Sequence, residues 1–176
     1  MSLPTFTYHP DPIATGSIKP SDAICVCCNQ QRGFIYDCNT YCEEELVAAL
    51  CPWCIADGSA AKQFNASFSD DSPLIQAGIS AAVVEEVTRC TPGYTSWQQD
   101  EWQCCCGDVC EFHGDPSQAH LAALPQPLQE VISMTGWTLD EWAKFVRNYE
   151  PGKMSVGIYH FICRHCKQAR YGVDCN

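Results

Sequence analysis

Residues 25–54 read CVCCNQQRGFIYDCNTYCEEELVAALCPWC. The stretch holds two Cys-x-x-Cys pairs, Cys25/Cys28 and Cys51/Cys54, and their reading decides the fold. A zinc ion takes four soft or borderline ligands in a tetrahedron. A gap of two residues lets one tight turn aim both thiolates at a single ion, and a second pair closes the coordination sphere. Residues 29–50 separate the pairs, a spacer of 22 residues, slightly longer than the roughly 15–20 of the common pattern. The β-prone GFIYD (33–37), in a hairpin, and a short helix from Glu43 to Leu50 are expected to fill it. The second pair then sits at the start of a helix within Pro52–Phe64, whose N-terminal amides favour thiolate charge. Knuckle, hairpin and ligands on a helix N-terminus describe a treble-clef-like zinc site. Two other chemistries use the same residues. Cys51-Pro52-Trp53-Cys54 fits a thioredoxin-like redox pair, but that motif follows a strand of a βαβ unit, and a helix is expected before it here. An iron–sulfur cluster also takes four thiolates, though no ferredoxin-type run of spacings is present.

Cysteine is abundant throughout: 15 of 176 residues. The choice is between disulfides and metal. The N-terminal MSLPTFTYHPDP has no basic n-region, no apolar h-region and a proline at position 4, so it is not a secretory signal. The longest mostly apolar run, Leu46 to Ala56, contains Pro52 and falls well short of the roughly 18 residues that suggest a span. The chain is therefore expected to be cytoplasmic, with no membrane partner, where thiols stay reduced. The odd cysteine total also leaves one unpaired in any all-disulfide scheme.

Lys and Arg number 10 against 21 Asp and Glu, a net charge of −11. That argues against direct nucleic-acid binding, which relies on a basic footprint. With 46 % hydrophobic residues the chain is no disordered acidic tail. Its length suits one domain or two small ones.

The expected class is α+β, a small zinc-stabilised domain with a knuckle near the N-terminus and short helices in the C-terminal part. Prolines at 4, 10, 12 and 20 make residues 3–24 an extended arm. The Ser/Asp/Gly-rich loop at 65–80 places the boundary between an N-terminal zinc-knuckle subdomain (1–72) and a helical part (73–176), packed as one compact unit. Ser80 can cap a helix to Arg89 or Cys90. Thr95 or Ser96, with Gln98 or Gln99 three residues on, predicts another. Short helices are expected at 117–124 and 127–134. Thr138 and Glu141 form a capping box for a helix to about Tyr149, with Leu139, Trp142, Phe145, Val146 and Tyr149 on one face. Strands are expected at 154–162 and 169–173.

A second ligand set combines Cys106 and Cys110 with Cys163 and Cys166. Cys163-Arg164-His165-Cys166 has knuckle spacing, and Cys106 and Cys110 are four apart, so a helix would bring them to one face. Cys105 is an alternative ligand, and His113, His160 and His165 are substitutes. Cys27, Cys38, Cys42, Cys90, Cys104 and Cys175 have no convincing partner pattern; Cys38/Cys42 is a candidate further pair, and packing or chance is the simpler account of all six. No Gly-rich phosphate loop, G-x-S-x-G or H-E-x-x-H is present. A closed Cys₄ zinc leaves no position open for water, so it is structural rather than catalytic.

Five stretches together resemble the CbrC family of small bacterial proteins: LPTFTYHPDPIATGSI (3–18), CVCCNQQRGFIY (25–36), EEELVAALCPWCIADGSAAKQFNASFSD (43–70), WQQDEWQCCCGDVCEF (97–112) and FICRHC (161–166). CPWCIADG (51–58) is the most specific. The resemblance maps the family's cysteine pairs onto Cys25/Cys28 and Cys51/Cys54, and puts Cys105, Cys106 and Cys110 near a site where members vary between Cys, His and Ala. Cys38 and Cys42 replace small residues. It implies tolerance or immunity to a nuclease-type colicin or contact-dependent toxin through binding it. An acidic protein suits that partner, because it can oppose the basic cleft of a nuclease. Glu43-Glu44-Glu45, Asp70-Asp71, Glu85-Glu86 and Asp100-Glu101 are the acidic clusters, and Trp97, Trp102 and Trp137 the candidate anchors. The alternatives are a zinc-dependent adaptor without a toxin partner and, with the least support, a metal- or thiol-dependent enzyme.

Overall fold

The computed structural model describes residues 2–175. Its elements, in order, are β1 (Ile18–Pro20), β2 (Phe34–Tyr36), α1 (Pro52–Ala56), α2 (Ser59–Phe64), α3 (Ser72–Gln76), α4 (Ala81–Cys90), β3 (Cys104–Cys105), β4 (Asp108–Val109), β5 (Glu111–Phe112), α5 (Gln118–Ala122), α6 (Gln129–Thr135), α7 (Leu139–Arg147), β6 (Val156–Ile162) and β7 (Ala169–Cys175). Strands pair antiparallel as β1–β2, β3–β4 and a three-stranded β5–β6–β7. The class is mixed helix and strand, as the sequence leads one to expect.

The longest pairing is β6–β7, running from Val156 opposite Cys175 to Ile162 opposite Ala169. β6 is the middle strand and is covered on both faces. Tyr159 and Phe161 enter an aromatic cluster with Tyr8, Tyr94, Trp102 and Phe112. Val156 and Ile158 pack against Leu121, Val131, Trp142, Phe145 and Val146 of α5, α6 and α7. That explains its near-continuous apolar sequence. A third cluster, with Ile18, Tyr36, Leu50, Ile55 and Phe68, lies among the N-terminal elements. The N-terminal arm threads between clusters. His9 is fully buried: its Nδ1 donates to the Pro92 carbonyl at 2.8 Å, leaving Nε2 to accept from Thr15 Oγ1 at 2.6 Å. Gly93 is required where it stands, since a Cβ there would lie 2.0 Å from the Phe68 carbonyl oxygen.

The capping box on Thr138 and Glu141 forms, and α7 buries Trp142, Phe145 and Val146. Leu139, placed by spacing on the same face, is exposed instead. The Pro52–Phe64 segment divides at Gly58, whose φ of +71° breaks it into α1 and α2.

Two expected helices do not form. Residues 43–50 hold bends and turns, because their carbonyls serve other elements: Leu50 accepts from the Tyr36 amide and Ala49 from the Val26 amide. The spacer between the cysteine pairs thus holds β2 and turns, without its expected helix. Residues 95–103 are also non-helical. Asp174, distant in sequence, accepts from the Trp97 and Gln98 amides and takes the place of a local cap. Conversely, the expected loop at 65–80 contains the short α3. Among the described residues no helix is long and apolar enough to cross a membrane.

Candidate metal centres

The two Cys-x-x-Cys knuckles at 25–28 and 163–166 share one backbone design. In the first, the Cys25 amide donates to the Gln30 carbonyl and the Asn29 amide to the Cys25 carbonyl. In the second, the Cys163 amide donates to the Gln168 carbonyl and the Lys167 amide to the Cys163 carbonyl. The residue after each second cysteine is left-handed, Asn29 at φ +55° and Lys167 at +59°. Each turn points its inner amides at its first sulfur, which favours a thiolate there.

The first knuckle faces α1. Cys51 is the N-cap residue and Cys54 lies in the first turn. Pro52 has no amide hydrogen to orphan at the helix start, and the Cys51 amide donates to Cys25 Sγ at 3.2 Å. The second knuckle sits at the tip of the β6–β7 hairpin and faces the β3–β4 turn. Cys106 and Gly107 occupy that turn, both with positive φ, +55° and +74°, the requirement of a type I′ hairpin. The turn delivers Cys105 and Cys106 side by side.

Two tetrads result: Cys25, Cys28, Cys51 and Cys54, and Cys105, Cys106, Cys163 and Cys166. All fifteen cysteines are free thiols. Sulfur–sulfur distances are 3.9 Å for Cys25–Cys54, 3.8 Å for Cys28–Cys51 and 3.5 Å for Cys51–Cys54. They are 3.8 Å for Cys105–Cys106 and 3.7 Å for Cys105–Cys166. A disulfide needs about 2.05 Å. A zinc–sulfur tetrahedron with bonds of about 2.3 Å has edges of about 3.8 Å. Both tetrads can hold a metal ion.

Their electrostatics agree with that use. Burial raises the Cys25 thiol, but the amides of Cys28, Cys51 and Cys27 outweigh it and bring it down to about 7. Burial pushes Cys51 up to about 11. In the second tetrad the Cys166 and His165 amides hold Cys163 near 6, while hydrogen bonding with Cys105 lifts Cys106 to about 12. One sulfur per tetrad is prepared as a thiolate, while Cys51 and Cys54 in the first tetrad and Cys105 and Cys106 in the second resist ionising beside it. A dication at the centre reverses that resistance.

The settings differ. Cys25, Cys51 and Cys54 are buried, whereas Cys106 and Cys166 are exposed. The Arg170 guanidinium donates to Cys105 Sγ at 3.2 Å. Asp108 braces the exposed tetrad from outside, accepting from Arg164 at 3.0 Å, His165 at 2.9 Å and Tyr8 at 3.1 Å.

Seven of the eight sequence-predicted ligands thus lie in tetrads. Cys110 does not: Cys105 takes its place. The helix that was to align Cys106 with Cys110 is a hairpin, and the alternation of the strands turns Cys110 into the aromatic cluster. Burial there pushes its thiol up to about 12. Sequence reasoning held Cys105 only as an alternative; the Cys-Gly-Asp turn signal at 106–108 was the available clue. His165 is bound to Asp108 and belongs to neither tetrad, and His113 and His160 lie against each other on the sheet. Cys38 bonds Thr95 and Cys42 the Glu44 carbonyl. Asp100, one of the acidic cluster residues, is buried, and so is Trp102; Trp97 is exposed.

A family model described as "Uncharacterised protein family (UPF0167)" matches residues 3–175. The chain belongs to the UPF0167 family. A UPF0167 protein of Pseudomonas aeruginosa is 47 % identical over 174 residues, covering 98 % of this chain and 97 % of that protein. UPF0167 proteins of Mycobacterium bovis and Mycobacterium tuberculosis are each 40 % identical over 167 residues, covering 93 % of this chain and 89 % of theirs. No solved structure matches the chain. The UPF0167 matches therefore place the chain in a family, and the chemistry is read from the tetrads.

Proposed function

We propose that this UPF0167 protein is a cytoplasmic zinc protein that binds and neutralises a nuclease-type toxin, with two structural Zn(Cys)₄ centres fixing the binding surface. The observation that carries the zinc assignment is the pair of tetrads whose sulfur–sulfur edges suit Zn–S bonds. Cys25, Cys28, Cys51 and Cys54 hold one ion; Cys105, Cys106, Cys163 and Cys166 hold the other. Bound zinc supplies cross-linking here. Four thiolates fill the coordination sphere, so the centres are not hydrolytic.

The resemblance to the CbrC family supplies the class of partner, and charge supports it. The exposed acids Glu43, Glu44 and Glu45 lie close in sequence to the exposed Val47, so charge and an apolar contact are offered by one segment. An acidic surface of net charge −11 accelerates encounter with a basic cleft. The test is surface plasmon resonance of the zinc-loaded protein against an immobilised DNase-type toxin domain, at low and high salt. The expected result is a 1:1 complex whose on-rate falls as salt rises and falls further when Glu43, Glu44 and Glu45 become Lys. Absence of binding to that toxin domain at either salt concentration overturns the partner assignment and leaves the zinc centres standing.

A further inference from the structure

The two tetrads are alike in geometry and unlike in access. Cys25, Cys51 and Cys54 of the first are buried, and Cys28 is half-buried. In the second, Cys106 and Cys166 stand exposed at the tips of two hairpins. A dissolved oxidant reaches those two sulfurs without any opening of the fold. Thiolate character and exposure are what make a cysteine oxidisable. Elsewhere Cys27, Cys38, Cys42 and Cys104 are engaged with oxygen atoms, and Cys175 with the Met134 thioether, rather than with a second thiol.

Geometry also selects a pair within the exposed tetrad. Cys105 Sγ lies 3.7 Å from Cys166 Sγ, across the two hairpins, and 3.8 Å from Cys106 Sγ. Adjacent residues have Cα atoms about 3.8 Å apart, closer than the roughly 4.4 Å lower bound of ordinary disulfides. That disfavours a bond between Cys105 and Cys106. Cys163 is buried, and its thiol is directed at the Cys105 carbonyl. The Arg170 guanidinium, 3.2 Å from Cys105 Sγ, holds that sulfur where Cys166 can meet it.

We infer that the second tetrad is a site of oxidative modification, at which a peroxide converts Cys105 and Cys166 to a disulfide and frees the metal, while the first tetrad stays intact. The Cys166 thiolate attacks one peroxide oxygen; the O–O bond breaks, hydroxide leaves and a sulfenic acid forms. The Cys105 thiolate then attacks that sulfur; the S–S bond forms, the S–O bond breaks and a second hydroxide leaves. Two electrons pass from the two sulfurs to the peroxide. Cys106 and Cys163 remain, too few ligands for a metal that takes four, so the ion departs. The new bond still ties the β3–β4 turn to the β6–β7 tip, so the packing survives and a thiol reductant reverses the change. Metal release rests on the zinc assignment of this tetrad; disulfide formation does not.

The experiment exposes the zinc-loaded full chain to hydrogen peroxide and samples it over time. Native mass spectrometry counts zinc, and tandem mass spectrometry of alkylated, unreduced peptides locates disulfides. The expected result is loss of one ion about tenfold or more faster than the other. The first disulfide joins Cys105 to Cys166, and dithiothreitol with added zinc restores both ions. Cys166→Ser should abolish that disulfide and leave the response of the first tetrad unchanged. Should that variant lose metal or fail to fold, the disulfide map of the unaltered protein decides. A chain with only one zinc ion before peroxide overturns the zinc reading of this tetrad, and the disulfide map still tests the inference. Loss from both centres at one rate, a first disulfide elsewhere, or a Cys166 that resists peroxide overturns it.

Discussion

Asp100 offers a quantitative test of the interior. It is only 3 % exposed. Its Oδ1 accepts from the Tyr41 hydroxyl at 2.7 Å, while Oδ2 is buried without a partner, as is Thr40 Oγ1. Burial raises the carboxyl to about 6, more than the Tyr41 hydrogen bond can offset. An aspartate in an unfolded chain titrates near about 3.9. The difference of about two pK units corresponds to about 3 kcal/mol. The folded state holds this proton more tightly than the unfolded state. Its contribution to stability is therefore complete below about pH 4 and is lost as pH rises through about 6. Asp100→Asn keeps the shape, keeps an acceptor for Tyr41 and carries no charge. The stability of the variant minus that of the native protein should thus climb with pH, by roughly 1.3 kcal/mol between pH 5 and pH 7, and then level off. Urea unfolding of both zinc-saturated proteins at pH 5, 6, 7 and 8 measures it. Taking the difference cancels the pH dependence of the thiolates. A difference that is flat or falls from pH 5 to pH 7 refutes the reasoning.

Other outcomes follow from the same structure. Cys106→Ser should lower bound zinc from two ions to one, whereas Cys110→Ala should keep both and cost about 1 kcal/mol of stability for a small buried group; metal analysis and unfolding separate them. A chelator should strip the tetrad with exposed Cys106 and Cys166 first and leave the buried N-terminal one loaded, which stopped-flow absorbance of a chromogenic chelator would show as two phases. Thr138→Ala removes the α7 cap and should cost about 1 kcal/mol by thermal unfolding.

What the sequence made legible was local. Cys25, Cys28, Cys51 and Cys54 lie in short turns and a helix start whose geometry follows from spacing and from Pro52. Thr138, Glu141 and the apolar residues that follow announce α7 by capping and periodicity. The strand β6 reads as a strand because its apolar and β-branched residues leave few alternatives, and β7 follows as its return strand. The failures share a cause in distant partners. The acidic run at 43–45 has helical chemistry, yet the carbonyls at 49 and 50 are claimed by Val26 and Tyr36. Thr95 and Ser96 look like caps, yet the Trp97 and Gln98 amides are claimed by Asp174. The choice between Cys105 and Cys110 turned on whether residues 104–110 form a helix or a hairpin. A spacing of four suits a helix, but the left-handed Cys106-Gly107 turn suits only a hairpin. Desolvation of Asp100 depends on the whole fold and leaves no local trace in the sequence.

The central claim is that two cysteine tetrads each hold one zinc ion. Native mass spectrometry of the protein purified without added metal, joined to zinc X-ray absorption on the same sample, tests it most directly. The account predicts two zinc ions per chain, each with four sulfur neighbours at about 2.3 Å, and a Cys51→Ser variant that retains one. A metal-free folded chain, disulfides within the tetrads, or a first shell containing nitrogen or oxygen would contradict it.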